Sequence, residues 1–224
     1  MRRFRKFPKT FIPKTSKMKH KKLKILIIVW IFLILINYYY MPYFILPLVW
    51  LLNVLVLLVI VLIQMIKIFK ERKNISRQRI VIFISVSLIT FFSFYKFYGI
   101  PNLFIEKLDW IILKEKRKDI VSDVKKGILK SNVSWNNVVC ELPFEFPVVS
   151  NGGNDIWISK NKTNQKYTVK FWVFRNFFDS PSTYLIYTED DQNIKYYNEK
   201  IKNDPERNWK IDNNWYRILE IKIY

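Results

Sequence analysis

ILIIVWIFLILINYYYMPYFILPLVWLLNVLVLLVIVLIQMI, residues 25–66, contains no Asp, Glu, Lys, Arg or His. A second stretch without these residues, IVIFISVSLITFFSFY, runs from Ile80 to Tyr95. Uncharged apolar runs of this length read as membrane spans. They predict three: about Lys24 to Tyr40, about Tyr43 to Ile66, and about Ile80 to Ile100. In the first, each aliphatic residue near the bilayer centre favours insertion by roughly 0.3–0.6 kcal/mol. The cluster Tyr38-Tyr39-Tyr40 is expected at headgroup level, where ring and hydroxyl are both satisfied. The basic segment ahead of this span is too long for a signal peptide, and no small-residue cleavage site follows.

Charge surrounds these stretches unevenly. Residues 1–24 carry 11 Lys/Arg and no acid, and residues 67–79 carry six Lys/Arg against Glu71. From Gly99 onward 20 Lys/Arg face 17 Asp/Glu, so most of the net charge of +20 precedes the C-terminal part. Basic loops stay in the cytoplasm. The expected topology is a multi-pass cell-membrane protein with its N-terminus inside and its C-terminal part outside. A basic chain can also signal nucleic acid. Here the charge flanks apolar runs and orients them, so nucleic acid is not expected as a partner. The basic arm, residues 1–24, contains Pro8 and Pro13 and is read as flexible. Alanine is absent while Ile, Lys, Asn, Phe and Tyr abound. These are residues of AT-rich codons and point to a bacterial source.

Polar residues inside the expected spans are few. Asn53 and Gln64 in the second could bond a neighbouring helix. Ser87, Thr90 and Ser93 in the third recur every third residue and suit close helix packing. Conduction would require more polar groups than these.

Residues 101–224 are read as one α+β domain outside the membrane, following a transmembrane region of residues 25–100. A helix is expected over 102–130, with Ile120, Val121, Val124 and Ile128 as its apolar stripe. Leu103 to Leu113 is apolar enough to rest on the membrane surface. Asp119 and Asp123 are read as early, and Lys125, Lys126 and Lys130 as late, in agreement with a helix dipole. Strands are expected at Ile156–Lys160, Tyr167–Phe174 and Thr183–Thr188, with a polar turn at 161–165. Tyr167, Val169, Phe171 and Val173 share one face. Leu219, Ile221 and Ile223 alternate with polar residues as a closing strand. The expected fold class is therefore three N-terminal transmembrane helices followed by a small domain of one helix and an antiparallel sheet.

No residue pattern points to catalysis, a cofactor or a metal. His20, the only histidine, lies in the basic arm, which removes histidine acid–base chemistry from the outer domain. Cys140 is the only cysteine and reads as a small buried hydrophobe. Glu189-Asp190-Asp191 lacks calcium-loop spacing and reads as a solvated turn. Trp135, Trp157, Trp172, Trp209 and Trp215 read mainly as core, although aromatics also build recognition surfaces.

Leu142-Pro143, Gly152-Gly153, the run KFWVFRNFFDSPSTYLIYTEDD and the closing NNWYRI resemble a membrane-anchored extracytoplasmic domain of bacteria. Phe174, Arg175, Asp179, Tyr187, Trp215 and Tyr216 carry the resemblance; Asn176 stands where that pattern has glycine. It transfers no activity. The expected role is a membrane-anchored binding or accessory protein without catalysis, whose partner is an envelope component or a membrane protein. The alternative is an immunity, holin-like or transport-accessory protein acting through its helices.

Overall fold

The computed structural model describes residues 16–39, 45–94, 99–151, 153–174 and 181–220. Among them lie helices α1 (Ser16–Tyr39), α2 (Ile45–Lys70), α3 (Arg77–Phe94), α4 (Gly99–Lys125) and α5 (Asp191–Asn203). The strands are β1 (Val139–Glu141), β2 (Asp155–Lys160), β3 (Tyr167–Phe174), β4 (Ser182–Thr188), β5 (Trp209–Asp212) and β6 (Trp215–Glu220).

Among the described residues two helices, not three, are long and apolar enough to cross a membrane: α2 over Leu51–Lys70, and α3. Only 11% and 22% of these stretches are buried within the protein, unlike the core helix of a soluble fold. The first expected span is corrected. Its apolar part, Leu23–Ile36, is 14 residues long. At 1.5 Å per residue that covers about 21 Å, so this apolar stretch alone does not fill a hydrocarbon core of about 30 Å, and the helix continues from it into the sheet domain. The tyrosines that were to extend it to the headgroups turn into the protein instead. Tyr38 is 7% exposed in the core of the sheet domain, and Tyr39 packs against the same core. The helix also begins at Ser16, inside the segment read as a flexible arm.

The connection between α2 and α3 is short. Glu71 N–H donates to Lys67 O and Asn74 N–H to Glu71 O, and Ser76 Oγ accepts from Arg79 N–H as the N-cap of α3. Arg79 returns to Glu71 across the turn at 2.7 Å. Thr90 and Ser93 are buried and bond back to the carbonyls of Val86 and Ile89, each at 2.8 Å. Trp30 of α1 donates to Ser93 Oγ at 2.6 Å, which sets α1 beside α3.

The sheet has six antiparallel strands in the order β1-β2-β3-β4-β6-β5. Successive side chains of β3 point to opposite faces. Val169, Phe171 and Val173 meet Ile120, Val121 and Val124 of α4 in one core. Trp172 joins Tyr184, Ile186, Tyr216 and Ile218 in a second core, covered by Tyr197 of α5. The expectation of one helix is thus corrected to two, one per face. The apolar face of α5 is only Ile194, Tyr197 and Ile201 in a polar segment, and suffices because the sheet brings its own aromatics. The last strand starts at Trp215, earlier than expected; residues 221–224, with Ile221 and Ile223, lie outside the described residues.

Helix α4 ends in a Schellman motif. Gly127, at φ 74°, donates to Val124 O, and Ile128 N–H donates to Asp123 O. Because the helix starts at Gly99, Asp119 and Asp123 lie in its last turns, not near its start as the dipole argument assumed.

Phe171 is fully buried and Phe144 is 66% exposed. Phe171→Ala should cost about 3–5 kcal/mol, and Phe144→Ala less than about 0.5 kcal/mol. Chemical denaturation of the purified protein followed by far-UV circular dichroism checks both.

Candidate functional site

The most structured polar constellation lies where the end of α1 meets α4 and the sheet. Asp109 and Arg117 sit eight residues apart on the inner side of α4. Arg117 Nη2 donates to Asp109 Oδ2 at 2.5 Å, with side chains 3% and 2% exposed. Burying two ions costs several kcal/mol each unless the remaining donors and acceptors are met. Here they are met from three directions. Arg117 Nε donates to Val149 O at 3.0 Å, its Nη1 to Asp109 O at 3.3 Å, and Tyr39 hydroxyl donates to Asp109 Oδ1 at 2.9 Å.

The last carbonyls of a helix lack intrahelical partners. Asn151 supplies one: its Nδ2 donates to Tyr38 O at 2.9 Å and to Val173 O at 2.7 Å. One amide thereby bridges α1 to β3. A second ion pair, Arg217 Nε to Glu106 Oε1 at 2.8 Å, ties β6 to the first turns of α4. Both of its side chains are largely buried, 13% and 9% exposed.

Burial, then the Asp109 carboxylate, raises the Tyr39 hydroxyl above its ordinary range, so it stays a donor. Burial, then Asp109 and Glu106, does the same to Tyr38. The Tyr38 hydroxyl and Asn102 Oδ1 are buried with no hydrogen-bond partner among the described residues. Both residues line a cavity of about 310 Å³, with Glu106, Phe174, Arg207 and Arg217. The ionised groups of this junction pair with one another: Asp109 with Arg117, and Glu106 with Arg217.

The residues singled out from sequence lie elsewhere. Glu189, Asp190 and Asp191 diverge: Glu189 pairs with Lys125 at 2.7 Å, Asp191 with Lys166 at 2.7 Å, and Asp190 turns inward to Asn161 and Asn164. Cys140 is 1% exposed in the core, and burial pushes its thiol up. Trp172 and Trp215 are core, whereas Trp135 is 65% exposed. Gln64 accepts from Arg79 at 3.4 Å, and Asn53 Nδ2 is buried with no hydrogen-bond partner among the described residues. Of the residues carrying the resemblance, Trp215 and Tyr216 are core, Tyr187 packs on Trp215 with ring centroids 5.4 Å apart, and Phe174 lines the junction cavity. Arg175, Asn176, Asp179 and Gly152 lie outside the described residues.

Sequence reasoning missed Glu106, Asp109, Arg117, Asn151 and Arg217. The available signal was weak: Asp109 and Arg117 flank Trp110 and Leu113 on one helix but sit in a run dense with charges. No family model matches the chain, nor does any curated protein or solved structure.

Arg117→Met strands Asp109 in the core and should cost about 3–5 kcal/mol, whereas adding Asp109→Leu should recover much of that loss. Thermal melts of the two variants in one detergent decide it.

The Asp190 carboxyl offers a pH test. Burial pushes it up, but bonds from Asn164, Asn161 and the backbone N–H groups of Gln192 and Asn193 together outweigh that and hold it below the usual range. A folded pKa below the unfolded one, about 3.9, means stabilisation that is present above that pH and lost as pH falls through the folded value. Asp190→Asn should therefore lower stability at neutral and alkaline pH and flatten the acid side of the profile, as thermal melts across pH 2–9 would show.

Proposed function

We propose that this chain is a membrane-anchored binding or accessory protein, held in the bilayer by α2 and α3, with the sheet domain outside the cytoplasm and no catalytic chemistry of its own. The orientation is supported by the α2–α3 connection: residues 67–79 carry six Lys/Arg and one acid, and basic loops stay inside. Helix α3 then leads to α4 on the other side, where the chain is nearly balanced in charge. The reading without catalysis is supported by the neutralised junction and by the single histidine's place in the N-terminal arm.

The observation that carries the reading is the bond from Tyr39 to the buried Asp109–Arg117 pair. A plain tether has no need to thread the end of a helix into the core of its cargo. With Tyr38 and Tyr39 in that core, whatever meets the sheet domain acts on α1 as well. The partner favoured is a membrane protein or envelope component that touches both parts. The outward side of α4 supports this: Phe104, Ile111 and Ile112 are 65–70% exposed, close to where the chain leaves α3.

Three experiments test the proposal. Alkaline phosphatase fused after Tyr224 should be active and fused after Arg77 inactive; the opposite pattern refutes the orientation. A photoreactive residue at Ile111 should capture a membrane or envelope protein in living cells, and capture should fall with Arg117→Met. Capture that persists without residues 102–224, read from a second probe at Leu52, would move recognition to the helices. Turnover of a polysaccharide that is lost on removing two domain carboxylates would refute the absence of catalysis.

A further inference from the structure

A cleft of about 420 Å³ opens between α1, α2 and α3 at the basic end of the helices. Its walls and mouth follow helical spacing. Ile60, Gln64 and Lys67 lie at i, i+4 and i+7 of α2, and Arg79, Ile82 and Val86 at i, i+3 and i+7 of α3, with Leu26 of α1 closing the side. The inner part is aliphatic, while Gln64, Lys67 and Arg79 gather at one end. Arg79 is 13% exposed in its side chain and is held in place by Glu71 at 2.7 Å and Gln64 at 3.4 Å.

Charge settles what the cleft suits. Six cations in residues 67–79 stand against Glu71, and Lys21 and Lys24 of α1 are exposed beside Leu23 at the rim. One carboxylate cannot neutralise this end. The N-terminal arm is no complement, since its charged residues are cations without an acid. A zwitterionic lipid brings an ammonium that the mouth repels. An occupant with an aliphatic chain and a phosphate anion matches both ends, and basic pockets between helices on the cytoplasmic side suit such headgroups.

We propose that this cleft binds one anionic phospholipid, its phosphate at Lys67 and Arg79 and an acyl chain along Leu26, Ile60 and Val86. Lys67, at an exposed position, supplies the direct contact as a point charge, while Arg79, its Nε and Nη2 held by Glu71, adds positive potential beside it. The inference rests on α2 and α3 lying in a membrane, which the fusion experiment above tests separately.

Native mass spectrometry of the full chain in detergent, titrated with phosphatidylglycerol, phosphatidylcholine or free glycerol phosphate, tests it. Phosphatidylglycerol should be retained and phosphatidylcholine should not. Lys67→Gln, at an exposed position, should weaken retention about fivefold, whereas Lys202→Gln on α5 should leave it unchanged. Equal retention of both lipids, or undiminished retention in Lys67→Gln, overturns the proposal. Displacement of the lipid by an equal concentration of glycerol phosphate also overturns it, because the site would then read a soluble anion. Any of these failures would leave the fusion result, and the anchored reading, intact.

Discussion

The buried contact between Asp109 and Arg117 constrains everything around it. Two opposite charges at 2.5 Å, both nearly sealed from water, are tolerated only where their other hydrogen-bonding positions are filled. Tyr39 fills one and Val149 O another, so the end of α1 and the loop before β2 must both arrive at α4 in one register. A shift of either leaves a charge or a donor unmet in the core. The pair is thus better read as a device for specificity than as a source of stability. Asn151, bridging α1 to β3, and the Glu106–Arg217 pair, anchoring β6, extend that register into the sheet.

This constraint changes what the helices are for. Helices α2 and α3 expose broad aliphatic surface and pack on one another, as membrane-embedded helices do. Helix α1 does something different. It runs beside α3 through Trp30 and Ser93, then gives its last residues to the sheet domain. It is the mechanical link between the two parts. The sheet has a helix on each face, and its edge strands β1 and β5 are only three and four residues long. Short edges discourage pairing with other chains. The exposed apolar residues of α4 lie on the helical side of the domain, the surface proposed above for a partner.

Strands β2, β3 and β4 were legible in the sequence because their signals are local, whereas β1 and β5, three and four residues long, were not. Tyr167–Phe174 alternates two sets of large residues, and the polar turn before it carries Asn161 and Gln165, the latter at φ 57°. Helix α5 was not legible, because three apolar side chains in a polar segment fall below any pattern threshold. The first expected span failed for a different reason. Residues 25–40 have the composition of a span, and composition says nothing of Tyr38 and Tyr39 being claimed by a domain 70 residues onward. The junction charges were hidden similarly. Asp109 and Arg117 look like solvated residues in a charge-dense run, and only the fold puts Val149 and Tyr39 over them.

The central claim, that α1 ends inside the sheet domain, has a direct test in intact membranes. Ile34 of α1 and Ile105 of α4 pack together beneath the buried pair. In a Cys140→Val background, Ile34→Cys with Ile105→Cys should form a disulfide on mild oxidation before any detergent is added. Ile34→Cys with Lys202→Cys should not. Failure of the first pair, or equal yield from both, would show that α1 does not dock on α4 and that the domain is merely tethered.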